Sequence, residues 1–121
     1  MTDDEARAFA QEWIEAWNSH DLERILAHYA DEIVFLSPIA RQRVGSGRLI
    51  GIPALRSYWG AGLQAQPNLT FELLEVLRGH ECVTLLYRNH KGQTVAETAE
   101  FGPSGKIVRS FACYTAPQRT P

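Results

Sequence analysis

The chain has 121 residues, 45% hydrophobic and 21% charged, with a formal net charge of −2. That length fits one domain, 1–121, with enough core to fold without disulfide or metal staples. A charge this small excludes global steering toward nucleic acid or an anionic membrane, and Cys82 and Cys113, far apart and without a CxxC or Cys/His pattern, make a disulfide framework or metal site unexpected.

The first predicted element is a helix capped by Thr2 or Asp3, with acidic residues in its first turn and an apolar stripe of Phe9, Trp13, Ile14 and Trp17. Asn18-Ser19-His20 breaks the pattern. Asp21 then caps a second helix whose inner face is Leu22, Ile25, Leu26 and Tyr29, ended by Ala30-Asp31. Ile33 to Leu36, β-branched and aromatic, reads as a strand stopped by Ser37-Pro38. The Arg- and Gly-rich stretch from Arg41 to Gly51 reads as a mobile loop. Ile52-Pro53 opens a third helix, with Leu55, Tyr58, Trp59 and Leu63 on one side.

Four strands follow: Leu69–Arg78, Cys82–His90, Gln93–Phe101 and Lys106–Ala116. A tight two-residue turn at Lys91-Gly92 and a turn at Gly102–Gly105 connect the last three. The tail PQRTP is expected to fray. Helices first and antiparallel strands last imply an α+β domain with the helices gathered on one side of a curved sheet. The acidic N-terminus has no signal core and no apolar run approaches membrane-spanning length, so a cytoplasmic location and no membrane partner are expected. No face alternates aromatic and basic residues as RNA binding requires, so no nucleic-acid partner is expected either.

Several stretches of this text carry a family resemblance: AWNSHD, then LERILAHYADEIVF, the Ser-Pro after it, GIPALRSYW, and GPSGKIVR followed by FACY. In this order the chain resembles the nuclear transport factor 2-like superfamily, in particular its SnoaL-like and ketosteroid isomerase-like members. The resemblance implies a cone-shaped α+β barrel in which a strongly curved, mainly antiparallel sheet wraps N-terminal helices and leaves an apolar pocket at one end. It also implies a dimer through the outer sheet face. The superfamily hosts isomerases, cyclases, dehydratases, hydrolases and binders, so fold alone assigns no activity.

Ketosteroid isomerases use a carboxylate base after the first strand and an oxyanion hole built from a tyrosine and a protonated aspartic acid. Matched by position, the base falls on Ser37, the tyrosine on Trp13 and the second acid near Glu97. Serine is no base without a partner, and an indole N–H only donates, so steroid isomerisation by that route is not expected. Glu97 shares a strand face with Val95, Ala99 and Phe101, which implies burial and a raised pKa. Two readings of it stand: a titrating acid/base, or a structural ion pair with Arg88, its diagonal neighbour if Lys91-Gly92 is a two-residue turn.

The catalytic candidates are thus Glu97, Ser37 and Trp13. The resemblance places Trp17, Phe35, Tyr58, Trp59, Ser110 and Tyr114 around a small, apolar or aromatic ligand, alongside Ala112, and the aromatic Tyr29 is a further binding candidate, although core packing alone accounts for many such aromatics. Arg41, Arg43 and Arg48 are read as a solvated loop rather than guides for an anionic substrate. His28 is read as facing the helix edge. No cofactor is expected, and no histidine pair has metal-ligand spacing.

Arg109, Phe111 and Cys113 form the opposite face of the last strand, and Val83, Leu85 and Tyr87 are expected to join them. That patch predicts a two-fold homodimer. The functions left standing are general acid/base chemistry on a small apolar carbonyl compound, as in an isomerase, cyclase or hydratase, and non-catalytic ligand binding or a dimeric interaction module.

Overall fold

The computed structural model describes residues 1–116; the tail expected to fray lies outside them. Helix α1 spans Asp3–Ser19, α2 Leu22–Leu26, α3 Pro38–Val44 and α4 Ile52–Ala65. The strands are β1 Tyr29–Leu36, β2 Arg48–Ile50, β3 Glu72–Arg78, β4 Cys82–Arg88, β5 Thr94–Phe101 and β6 Ile107–Tyr114. They form one curved, unclosed six-stranded sheet in the order β2-β1-β6-β5-β4-β3. All pairings are antiparallel except β1 with β6. The α+β cone expected from the sequence is the fold observed.

Local chemistry explains the elements. Thr2 and Glu5 form a reciprocal capping box at the start of α1. His20 ends the helix in the left-handed region at φ 61°, and its Nε2 lies 2.7 Å from the Leu69 carbonyl oxygen. Asn18 bonds both the amide and the carbonyl of Phe71, which ties the end of α1 to the approach of β3. Asp21 caps α2 through the Arg24 amide.

Three expectations about elements are corrected. Tyr29 does not belong to α2. It begins β1, where it pairs with Ile107 across the parallel ladder, and Ala30-Asp31 continues the strand rather than ending a helix. The stretch after Ser37 is not simply a loop. Ser37 is an N-cap, Pro38 stands in the first turn and Gly45 closes the end at φ 82°, a complete set of helix start and stop signals that produces α3. β2 then pairs with β1.

The third correction concerns the β4–β5 turn. Asn89 N–H donates to the Gln93 carbonyl, and the Asn89 side-chain oxygen accepts from the Lys91 and Gln93 amides. The turn therefore takes Asn89–Gln93, with Gly92 at φ 77°, rather than two residues. Arg88 pairs with Thr94, Tyr87 with Val95 and Leu85 with Glu97. A one-residue slip reverses every side chain, so Val83, Leu85 and Tyr87 are not on the outer face. They are buried on the concave one, beside Val95, Glu97, Ala99 and Ala112.

The helices cover this concave face. Trp13 stacks on Phe71 at 5.9 Å and meets Tyr87 at a tilt at 5.4 Å, while Trp17 and Tyr29 meet Trp59 edge-on at 5.1 and 5.0 Å. Burying such large rings is the dominant favourable term of the fold, and truncating one to alanine costs about 3–5 kcal/mol.

Candidate active site

Glu97 sits in the middle of β5, 5% exposed. The Tyr87 hydroxyl donates to its Oε1 at 3.2 Å, and the Ser110 hydroxyl donates to its Oε2 at 3.2 Å. Register places the donors: Tyr87 is the diagonal neighbour on β4, and Ser110 is diagonal on β6, where Ala112 stands opposite Glu97. Among the described residues no cation bonds the carboxyl, and Arg88 is exposed on the other face of β4, which removes the ion-pair reading. Burial pushes the Glu97 pKa up to about 7, and the two hydroxyl donors oppose that rise only in part.

Glu97 borders a cavity of about 120 Å³. Its walls include Trp13, Trp17, Phe35, Trp59, Phe71 and Tyr87, with Ser37, Tyr58 and Tyr114 supplying hydroxyls. Arg43 approaches from α3, and His90 and Lys91 approach from the β4–β5 turn. Burial raises the phenol pKa values of Tyr58 and Tyr114, so both remain hydrogen-bond donors at neutral pH. Burial lowers that of His90, whose Nδ1 has no partner among the described residues.

The expected site residues divide. Glu97, Ser37, Trp13, Trp17, Phe35, Tyr58, Trp59 and Tyr114 meet around the cavity. Tyr29 stands behind the wall, where its hydroxyl accepts the Trp13 indole N–H at 2.9 Å. Ser110 also lies behind it, on the carboxyl of Glu97. The polar atoms of Ser37 and Trp13 have structural duties: the Ser37 hydroxyl accepts from the Ile39 and Ala40 amides at 3.1 and 3.4 Å, and the Trp13 donor is spent on Tyr29.

Sequence reasoning missed Tyr87, Phe71 and the cavity-facing position of Arg43. Aligning the apolar sets of β4 and β5 finds Tyr87, because only a longer turn puts Val83, Leu85 and Tyr87 on the face of Val95 and Ala99. The cap-proline-glycine pattern of α3 finds Arg43. His28 does lie at the α2 edge, with its Nε2 3.2 Å from Glu12, away from the cavity.

A model of the SnoaL-like domain matches residues 10–110. The chain belongs to the SnoaL-like family. It is similar to a SnoaL-like protein of unknown function from Burkholderia thailandensis E264, at 40% identity and a TM-score of 0.92, covering 95% of this chain and 98% of that one.

Other solved structures, at lower identity, share the fold alone. One is SalBIII, an epoxide hydrolase/cyclase-like enzyme with a role in pyran ring formation in the polyether salinomycin, at 17% identity and a TM-score of 0.73, covering 95% of each chain. Another is a nuclear transport factor 2-like protein of unknown function from Burkholderia xenovorans LB400, at 16% identity and a TM-score of 0.71, covering 98% of this chain and 89% of that one. No curated protein matches in sequence.

Proposed function

We propose that this SnoaL-like protein is a small-molecule enzyme that moves a proton on a small, largely apolar carbonyl compound, with Glu97 as the general acid/base. The observation carrying this reading is a carboxyl buried at the cavity wall with only neutral donors on it and a pKa lifted to about 7. A base is most effective when its pKa lies near the working pH. In its ionised form Glu97 takes a proton from the carbon next to the carbonyl. The electron pair moves onto the carbonyl oxygen, where the protonated phenols of Tyr58 or Tyr114 donate. The carboxylic acid then returns the proton to carbon, at the same or a conjugated position. The same acid/base pair serves cyclisation or hydration.

Ser37 is not given the base role that its position has in ketosteroid isomerases, since its hydroxyl caps α3. Trp13 is assigned to the wall, not to proton transfer. Trp17, Phe35 and Trp59 act as flat apolar contacts for the ligand. The engagement of Ser37 and Trp13 favours one alternative, a non-catalytic pocket that binds the same ligand class. The protein is further proposed to work in the cytoplasm as a homodimer through the convex sheet face; no helix among the described residues is long and apolar enough to cross a membrane.

Deuterium uptake next to the carbonyl of a cyclohexanone, followed by NMR in D2O, separates the two readings. The wild type is expected to accelerate uptake and Glu97→Gln to lose about 10²–10⁴ of that acceleration while retaining ligand affinity. Equal uptake with wild type, Glu97→Gln and buffer leaves the binding module.

A further inference from the structure

Arg43 is one of three arginines between Ser37 and Gly51, but its setting differs from that of the other two. Helix α3 turns it onto the cavity, whereas Arg41 borders a separate, shallow groove and Arg48 lies on the edge strand β2. Lys91 reaches the same cavity from the β4–β5 turn, held by the hydrogen bond from its amide to the Asn89 side chain. Neither cation has a carboxylate within ion-pairing distance among the described residues. Among the described residues Glu97 is the one acid bordering the cavity, and it is held inside by Tyr87 and Ser110 rather than by these cations. The space therefore has an apolar aromatic body and a cationic side without a counter-ion.

We propose that the ligand is a compact, one-ring compound bearing a carboxylate, with its ring against Trp17, Phe35 and Trp59 and its carboxylate on Arg43, seconded by Lys91. This deepens the functional reading above, and rests on it only for the carbonyl. A guanidinium fork matches the planar, two-oxygen carboxylate. The volume sets the size, because a cavity of about 150 Å³ in another protein accepts benzene and this one has about 120 Å³. The enclosed part of the site therefore holds about one ring. The arrangement also keeps the two charges apart in function: Arg43 binds the substrate's permanent anion, while Glu97 remains free to gain and lose its proton.

Titration calorimetry with 4-oxocyclohexanecarboxylate and its neutral carboxamide tests this on the full chain. The wild type is expected to bind the carboxylate about ten- to a hundredfold more tightly than the amide, the range of one charge-assisted contact. The preference shrinks with added salt and falls most of the way in Arg43→Gln, where amide affinity, carried by the ring contacts, reports whether the cavity is intact. Lys91→Gln reduces the preference by a smaller factor. Equal affinity for the two compounds, an undiminished preference in Arg43→Gln, or no binding of either overturns the proposal. Glu97→Gln separates the two inferences. A carboxylate preference that persists there, with deuterium uptake unaffected by the substitution, upholds the anion site and sinks the acid/base role. Lost uptake with no preference for the carboxylate does the reverse.

Discussion

The Tyr87 hydroxyl donates to Glu97 Oε1 across the β4–β5 ladder, and both groups are buried on the concave face of the sheet. This contact favours the ionised carboxyl, so it works against the burial that raises the Glu97 pKa. Tyr87→Phe removes the donor and keeps the ring. The Glu97 pKa is then expected to move further up from about 7, by about one unit for the loss of a hydrogen bond to a charged group. A side-chain carboxyl titration by ¹³C NMR reads this directly. A pKa that stays put or falls in Tyr87→Phe contradicts the account of how the carboxyl is held.

Stability should depend on pH through the same group. The native carboxyl keeps its proton up to about pH 7, while the unfolded chain releases it near 4.5. Between those values the native state binds more protons, so its stability falls as pH rises. The contribution is fully present below about 4.5 and lost through about 7, and its size is on the order of 3 kcal/mol. Glu97→Gln carries no such titration. Urea unfolding at a series of pH values should therefore show the wild type losing stability relative to Glu97→Gln across this window. Parallel curves for the two proteins contradict it.

The cone and its helices were legible because helical and strand periods are written over long stretches, such as Phe9 to Trp17 and the strands after Leu69. Glu97 was legible for a local reason: it stands among apolar residues at period two. What failed was pairing across a turn. Strand text does not state how many residues a turn consumes, and Asn89 spends its side chain on two amides to make a longer one. That single residue decided the faces of Val83, Leu85 and Tyr87, and with them the partner of Glu97. Tyr29 failed differently. Its helical spacing from Leu22 and Leu26 competed with a parallel pairing to β6, a contact between distant parts of the chain that local pattern does not contain.

Tyr29 was expected to touch ligand, yet its hydroxyl is the acceptor for the buried Trp13 indole N–H. Tyr29→Phe leaves that donor without a partner, at a cost of about 1–3 kcal/mol. Ligand affinity should remain within about twofold, since the ring does not border the cavity. Chemical denaturation and calorimetry on one preparation measure both quantities. A stable variant with lost affinity would return Tyr29 to the binding surface.

The convex face bears on assembly. Phe111 pairs with Leu36 on one side and Thr98 on the other, in a row continued by Thr84, while Ala96 aligns with Leu86 and Cys113 in the next row. The Arg109 guanidinium lies 5.4 Å from the Phe111 ring centroid. This surface runs across neighbouring strands, with the Glu100–Arg109 pair beside the Phe111 row, and its centre contains none of the residues that hold Glu97. A second copy related by a two-fold axis presents the same rows to itself, so one substitution acts twice in the interface. Phe111→Asp adds two like charges at that centre and removes two rings. Light scattering at micromolar concentration should give twice the chain mass for the wild type and the single mass for Phe111→Asp. The wild-type melting temperature should rise with protein concentration, as it must for a dimer that dissociates on unfolding, and that of the variant should not. A wild type that scatters as a monomer, or a variant that remains dimeric, removes the convex face as the interface. The Glu97 titration should survive in the monomeric variant, because every group that sets it lies within one chain.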